Sequence, residues 1–248
     1  MSKRMAVVMA AGKGTRMKSE LPKVLIPVRG RAMIHYVIDA LESAGVDRIV
    51  VVIGYGADLV RRELAGRSSI SFALQEQQLG TGHAVMVCRD QLASHEGPVL
   101  VVAGDSPMMQ PDSIAKLFEE YDRSRAACIL GTGTKENPQG LGRVIRDADG
   151  KFEAIVEEKD ATAEQRQVKE VNLSCYVFNC RDLLDALEHI RADNSQREYY
   201  ITDGPGVLKA GGKDVRALNV LKPCEALSIN TMEELAVVER TMQEMQAC

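Results

Sequence analysis

Short apolar runs alternate with amphipathic stretches along the first hundred residues. Residues 5–10 read as a buried strand, and 32–44 (AMIHYVIDALESA) carry apolar residues at helical spacing, with Gly45 as the stop. A second strand (48–54, RIVVVIG), a helix (57–65), a third strand (70–75, ISFALQ), a helix (81–92) and a fourth strand (99–105, VLVVAGD) follow. This rhythm predicts an α/β protein with a doubly wound, mainly parallel, Rossmann-like sheet. Right-handed crossovers order its strands 3-2-1-4, with the first and fourth side by side.

After Asp105 the pattern changes. A helix over 111–123 and a strand over 127–131 continue the alternation, but 141–160 (LGRVIRDADGKFEAIVEEKD) reads as two strands turning through Asp149-Gly150. The expectation is a mixed β insertion from about 132 to 177 over one edge of the sheet. Helices at 181–190 and about 198–210, a strand at 215–220 and a final helix at 231–246 close the chain. No repeat or linker divides it, so 1–248 reads as a single domain.

Composition narrows the partners. With 31 Lys+Arg against 35 Asp+Glu the net charge is -4, which gives no nucleic-acid footprint, so an anionic ligand has to be met by a local positive cluster. No apolar run reaches about 18 residues, and Met1-Ser2-Lys3-Arg4-Met5 leads directly into a strand instead of a signal peptide. No membrane contact and a cytoplasmic location are expected. The cysteines, Cys88, Cys128, Cys175, Cys180, Cys224 and Cys248, form no CxxC pair or zinc spacing, and reduced thiols are expected. Cys175 and Cys180 bound CYVFNC, read as a strand that turns them to opposite faces. Of the scattered His35, His83, His95 and His189, only His83 has suspicious neighbours, and it reads as a helix-start or core histidine.

The first strand runs into MAAGKGTRM (9–17). A dinucleotide fingerprint needs a third glycine, absent after Gly12 and Gly14, and a Walker A loop fails because Lys13 lies between the glycines. What remains is a glycine turn with exposed N–H groups and three cations, Lys13, Arg16 and Lys23. It is either a polyphosphate cradle or a plain sharp turn with solvated charges. Pro22, which fixes the backbone just before Lys23 and so aims it, favours a ligand.

MAAGKGTRMKSELPKVL resembles the signature of the sugar-1-phosphate nucleotidylyltransferases, most closely their N-acetylglucosamine-1-phosphate uridyltransferase branch. QEQQLGTGHAV (75–85), VAGDSP (102–107), NPQGLGRV (137–144), IVEEKDATAEQRQ (155–167), EVN (170–172) and EYYITD (198–203) match in the same order, so that the resemblance spans about 3–240. It implies attack of a sugar-1-phosphate oxygen on the α-phosphorus of UTP, and assigns about 1–131 to nucleotide, about 132–230 to sugar and about 231–248 to a C-terminal helix. Arg16 and Lys23 would be catalytic. Ala10, Ala11, Gly12, Gly14, Thr15, Gln75, Gly80 and Thr81 would hold the nucleotide, and Gly104, Gly140, Glu157, Asn172, Tyr199 and Thr202 the sugar. Asp105 and Asn230 would hold Mg2+, which resolves the repulsion between a carboxylate and polyphosphate.

Read without the resemblance, Asn230 is equally a helix cap, Gln75 a polar strand end and Glu157 one charge of a solvated run. The family's bifunctional members continue into a left-handed β-helix; no hexapeptide repeat precedes Cys248, so acetyl transfer is not expected, and oligomeric state stays open. Three departures touch the sugar side: Leu141 replaces a tyrosine, Leu173-Ser174 replaces Thr-Gly, and Ser106 replaces a valine. Another hexose-1-phosphate, such as glucose or N-acetylgalactosamine, is therefore the alternative substrate. A cytidylyltransferase and a non-catalytic nucleotide-sugar sensor are further readings.

Overall fold

A computed structural model describes residues 3–247. Met1, Ser2 and Cys248, on which the readings of the chain start and the sixth thiol partly rest, lie outside the described residues. The strands are β1 (Met5–Met9), β2 (Pro27–Val28), β3 (Arg31–Ala32), β4 (Arg48–Ile53), β5 (Ile70–Leu74), β6 (Pro98–Ala103), β7 (Cys128–Thr134), β8 (Arg143–Arg146), β9 (Phe152–Val156), β10 (Glu170–Asn179) and β11 (Val215–Asn219). The helices are α1 (Met33–Ser43), α2 (Ala57–Glu63), α3 (Thr81–Met86), α4 (Arg89–Ala93), α5 (Pro111–Ser124), α6 (Cys180–His189), α7 (Gly204–Ala210) and α8 (Met232–Ala247).

The main sheet runs β11-β7-β10-β6-β1-β4-β5, so the expected 3-2-1-4 order holds in β5-β4-β1-β6, all parallel. β1, β4 and β6 are buried on both faces while β5 forms the half-exposed edge, and period-two alternation divides their side chains between two cores. Ala6, Val8, Ile49, Val51, Leu100 and Val102 pack against α1 and α5. Met5, Val7, Val50, Val52, Val99 and Val101 pack under α3, α4 and α6. A third cluster joins Met17, Ile26, Val28 and Met33 to Ile229, Leu235 and Val238, fastening the C-terminal helix to the region after the glycine turn.

Several boundaries differ from the sequence reading. The mixed insertion is present, but its return strand β10 enters the main sheet antiparallel between β6 and β7; only the β8–β9 hairpin, turning at Gly150, extends beyond it. The helix expected over 81–92 divides into α3 and α4. That expected from 198 begins in earnest at Gly204, because Pro205 suits a first helical turn, while Tyr200 before it is extended. Cys180 opens α6 instead of ending a strand, since Asn179 caps that helix by accepting from the N–H groups of Arg181 and Asp182. Cys175 and Cys180 still lie in different cores, and all five described cysteines are free. Among the described residues no helix is long and apolar enough to cross a membrane.

Candidate active site

The parallel pairing of β1 with β6 brings the glycine turn and Asp105 to one carboxyl edge of the sheet. Gly104 donates its N–H to Met9 O at 2.9 Å and packs closely on Met9, Ala10 and Val24, where a β-carbon would come within 3.1 Å of Met9 O. It therefore serves as the joint between the two strand ends and does not line the cavity beyond them. That cavity, about 830 Å³, is walled by residues 9–16, Lys23, Gln75, Gly80, Thr81, Asp105, Gly140, Asn172 and Asn230.

The N–H groups of Gly12, Lys13 and Gly14 have no hydrogen-bond partner among the described residues. Successive free amides in a turn form an anion cradle. Gly14 is left-handed, at φ +68°, and a β-carbon there would come within 2.6 Å of Lys23 Cβ. Glycine thus lets the lysine stem cross the turn. Lys13 reaches over the Tyr55 ring, 5.0 Å from its centroid.

Lys23 Nζ bonds Asp105 Oδ2 and, at 2.7 Å, Asn230 Oδ1, which also accepts from Arg16 at 2.8 Å. The side chains of Lys23 and Asp105 are only 13% and 26% exposed. Asn230 is free to face this cluster because its neighbour caps α8. Thr231 Oγ1 accepts from Glu234 N at 3.2 Å, and Glu234 Oε2 accepts from the N–H groups of Asn230 and Thr231, a capping box. The cap and the cluster are therefore adjacent residues. Two oxygen donors converging on one ammonium make a seat for positive charge, and a carboxylate with an amide oxygen suits Mg2+, which completes its shell from phosphates and water. No group of three or more His, Cys, Asp or Glu among the described residues forms a metal cage.

At the other end Gln75, 3% exposed, donates from Nε2 to Gly80 O and to His83 Nδ1, each at 3.1 Å. Because Gly80 O only accepts, the amide orientation is fixed and Oε1 is the free atom. His83 thus holds Gln75, with its proton on Nε2, a link that an eight-residue separation in sequence does not reveal. Gly80, at φ +106°, lies so close to the 198–200 segment that a β-carbon would come 2.5 Å from Tyr199 O. Thr81 Oγ1 accepts from Ile201 N.

On the insertion side Gly140 N donates to Glu158 Oε2 at 3.3 Å, and Glu158 pairs at 2.7 Å with the buried Arg143. Arg143 also holds the carbonyls of Leu141 and Arg166, which clamps the Gly140 loop. Glu157, Tyr199 and Thr202 do not line the cavity. Glu157 sits behind the Gly142 backbone, and Tyr199 packs its backbone on Gly80 and Gly82. Burial raises the Glu157 carboxyl above its usual range, and the nearby Thr202 hydroxyl offsets part of this from outside hydrogen-bond geometry. Asp203 is pushed up to about 6 by burial and then by the charges of Glu157, Asp193 and Asp160. Ser106, noted in the sequence as a departure, lines the cavity, as do Gln78, Glu198 and Ser228, which were not singled out because no spacing distinguishes them from surface polar residues.

A mostly parallel α/β sheet with an anion cradle at its carboxyl edge defines a nucleotide-handling class of protein. The chain belongs to the MobA-like NTP transferase domain family, which it matches over residues 6–204, and is a nucleotidyltransferase. It is 42% identical over 243 residues to the bifunctional protein GlmU of Limosilactobacillus reuteri, covering 98% of this chain and 53% of that protein. The GlmU of Lactobacillus delbrueckii subsp. bulgaricus is 45% identical over 237 residues, 96% of this chain and 51% of that protein. The chain thus spans about half the length of these relatives. In fold it is similar to a UDP-glucose pyrophosphorylase, apo (TM-score 0.78, 17% identity, 99% of this chain and 100% of that one) and with UDP-glucose (TM-score 0.77, 18% identity, the same coverage).

Proposed function

We propose that the chain transfers the uridylyl group of UTP to N-acetylglucosamine-1-phosphate, yielding UDP-N-acetylglucosamine and pyrophosphate. The observation that carries this reading is the meeting of Lys23, Arg16, Asp105 and Asn230 beside the unpaired amides of the glycine turn, in one cavity with Gln75. The likeness to GlmU proteins and to a fold that carries UDP-glucose supports a nucleotide and a sugar phosphate as its substrates.

The attacking phosphate oxygen is already an anion, so no general base is needed, and the protein's task is to align the phosphates and screen their charge. The amides of Gly12, Lys13 and Gly14 hold the triphosphate, with Thr15 and Arg16 beside it. Lys23 leaves its resting contacts for the α-phosphate, where a mobile point charge follows charge shifting between oxygens. Mg2+ held by Asp105 and Asn230 would neutralise phosphate charge as the pyrophosphate leaves. Gln75 Oε1 accepts the N3–H of uracil. Cytosine presents a lone pair at N3, so the same oxygen repels CTP.

The same chemistry on glucose-1-phosphate or N-acetylgalactosamine-1-phosphate is the second reading, favoured by Leu141, Leu173 and Ser174 on the cavity wall. Pyrophosphate release with UTP and Mg2+, compared across these sugar phosphates, tests both. Preference for N-acetylglucosamine-1-phosphate supports the first and preference for another sugar the second. Silence with all of them, and with CTP and dTTP, leaves a nucleotide-sugar sensor. The reading carries a cytoplasmic location with it.

A further inference from the structure

The strand that walls the insertion side of the cavity is irregular at one point. β10 pairs with β7 through Asn172 and Thr132, then resumes at Cys175 and Gly131, so that Leu173 and Ser174 form a bulge. Ser174 lies at φ +53°, a left-handed conformation that glycine adopts freely and a residue with a β-carbon adopts only at a cost. Bulges beside active sites re-aim side chains, and a strained residue persists where its surroundings hold it.

Asn172 does the holding. It is 5% exposed, donates from Nδ2 to Tyr176 Oη at 2.7 Å, and accepts from Ser174 N at 3.3 Å through Oδ1. Both ends of its amide are thereby engaged inside the strand. Ser174 lines the cavity, and its hydroxyl leans on the buried Tyr176 phenol, so the bulge offers a ligand a β-carbon and a hydroxyl already shared with Tyr176.

We propose that Ser174 is a specificity-determining residue, contacting the ring substituents of a hexose-1-phosphate and setting which pattern of hydroxyl and acetamido groups is accepted. The proposal rests on the uridylyl-transfer reading and deepens it. A hydroxyl at this point hydrogen-bonds a matching substituent and is left unpaired against a mismatched one. Its β-carbon limits the room for either.

The test compares the wild type with Ser174→Gly and Ser174→Ala. The assay is kcat/KM at saturating UTP for N-acetylglucosamine-1-phosphate, glucose-1-phosphate and N-acetylgalactosamine-1-phosphate, with KM for UTP and melting temperature alongside. The glycine variant is expected to melt no lower than the wild type, to keep KM for UTP within about twofold, and to lose at least about tenfold in the ratio of the best to the next sugar. The alanine variant, which keeps the β-carbon and loses the hydroxyl, should fall between them. Ratios within twofold of the wild type in both variants would overturn the proposal while leaving uridylyl transfer standing. A wild type that turns over none of the sugars removes both.

Discussion

Replacing Lys23 by methionine removes one ammonium and keeps the length of the stem that crosses Gly14. In the resting protein that ammonium binds Asp105 and Asn230, the two oxygens suited to a divalent ion. Two unit charges about 4 Å apart at an effective dielectric of about 20 interact by about 4 kcal/mol, so the lysine competes strongly for the seat. The pair is neither fully exposed nor fully buried, which puts the stability lost with Lys23 between the two limits, at about 1–2 kcal/mol. Turnover is expected to fall at least about 100-fold, about 2.7 kcal/mol of transition-state stabilisation, because the ammonium meets the charge on the α-phosphate most fully in the transition state. Metal affinity should move the other way. In the absence of nucleotide the variant should bind Mn2+ at least about tenfold more tightly than the wild type, and Asp105→Ala should abolish this binding. Mn2+ titration followed by electron paramagnetic resonance, single-turnover pyrophosphate release and a thermal melt read the three quantities separately. A Lys23→Met protein that keeps turnover within threefold, or binds Mn2+ no better than the wild type, refutes the account of this cluster.

Gln75→Glu should raise KM for UTP at least about tenfold, because a carboxylate facing Gly80 O loses the bond that orients the amide, and the preference for UTP over CTP should shrink with it; steady-state kinetics with both nucleotides would detect this, and equal KM values would count against the assignment. Gly14→Ala should cut turnover about as deeply as the loss of Lys23, since its methyl displaces the lysine stem, and a crystal structure with Lys23 unmoved would contradict this. Asp203 has a raised pKa in the folded protein, so its ionisation opposes folding: the cost is absent below about 4, grows as pH rises towards about 6 and persists above. The shift corresponds to about 3 kcal/mol at most, reduced to about 1 kcal/mol by solvent around a half-buried group. Asp203→Asn should therefore raise the melting temperature at pH 8 and leave it unchanged at pH 4, whereas an equal gain at both would point to a different cause.

The order of β5-β4-β1-β6 was legible because β1, β4 and β6 are apolar runs buried on both faces, and alternation with helices leaves one handedness of crossover that puts the half-exposed β5 at the edge. The position of β10 was not. Glu170–Asn179 (EVNLSCYVFN) reads as a buried strand, but nothing local distinguishes an edge from a slot between β6 and β7. Its antiparallel entry is a consequence of long-range pairing. The breaks within the two mis-sized helices were marked by weaker signals, Pro205 being the clearest.

The candidate site divides along the same line between local and distant information. The glycine turn, the aimed lysine and the carboxylate at a strand end are each visible within about ten residues of sequence, and the parallel pairing of β1 with β6 is enough to bring them together. Asn230 lies 207 positions from Lys23, and from the sequence it could equally have capped the last helix. What separates the two roles is a shift of one residue: Thr231 and Glu234 complete the cap between themselves and leave the Asn230 oxygen for Lys23 and Arg16. The third cluster of the core gives that arrangement its rigidity, since Ile229 and Leu235, on either side of the cap, pack with Met17 and Ile26 beyond the glycine turn. The last helix is thereby built into the wall that faces the phosphates. A change in its packing, such as Leu235→Ala, should loosen the cation seat before it unfolds the sheet, because Leu235 touches neither of the two cores that flank the central strands.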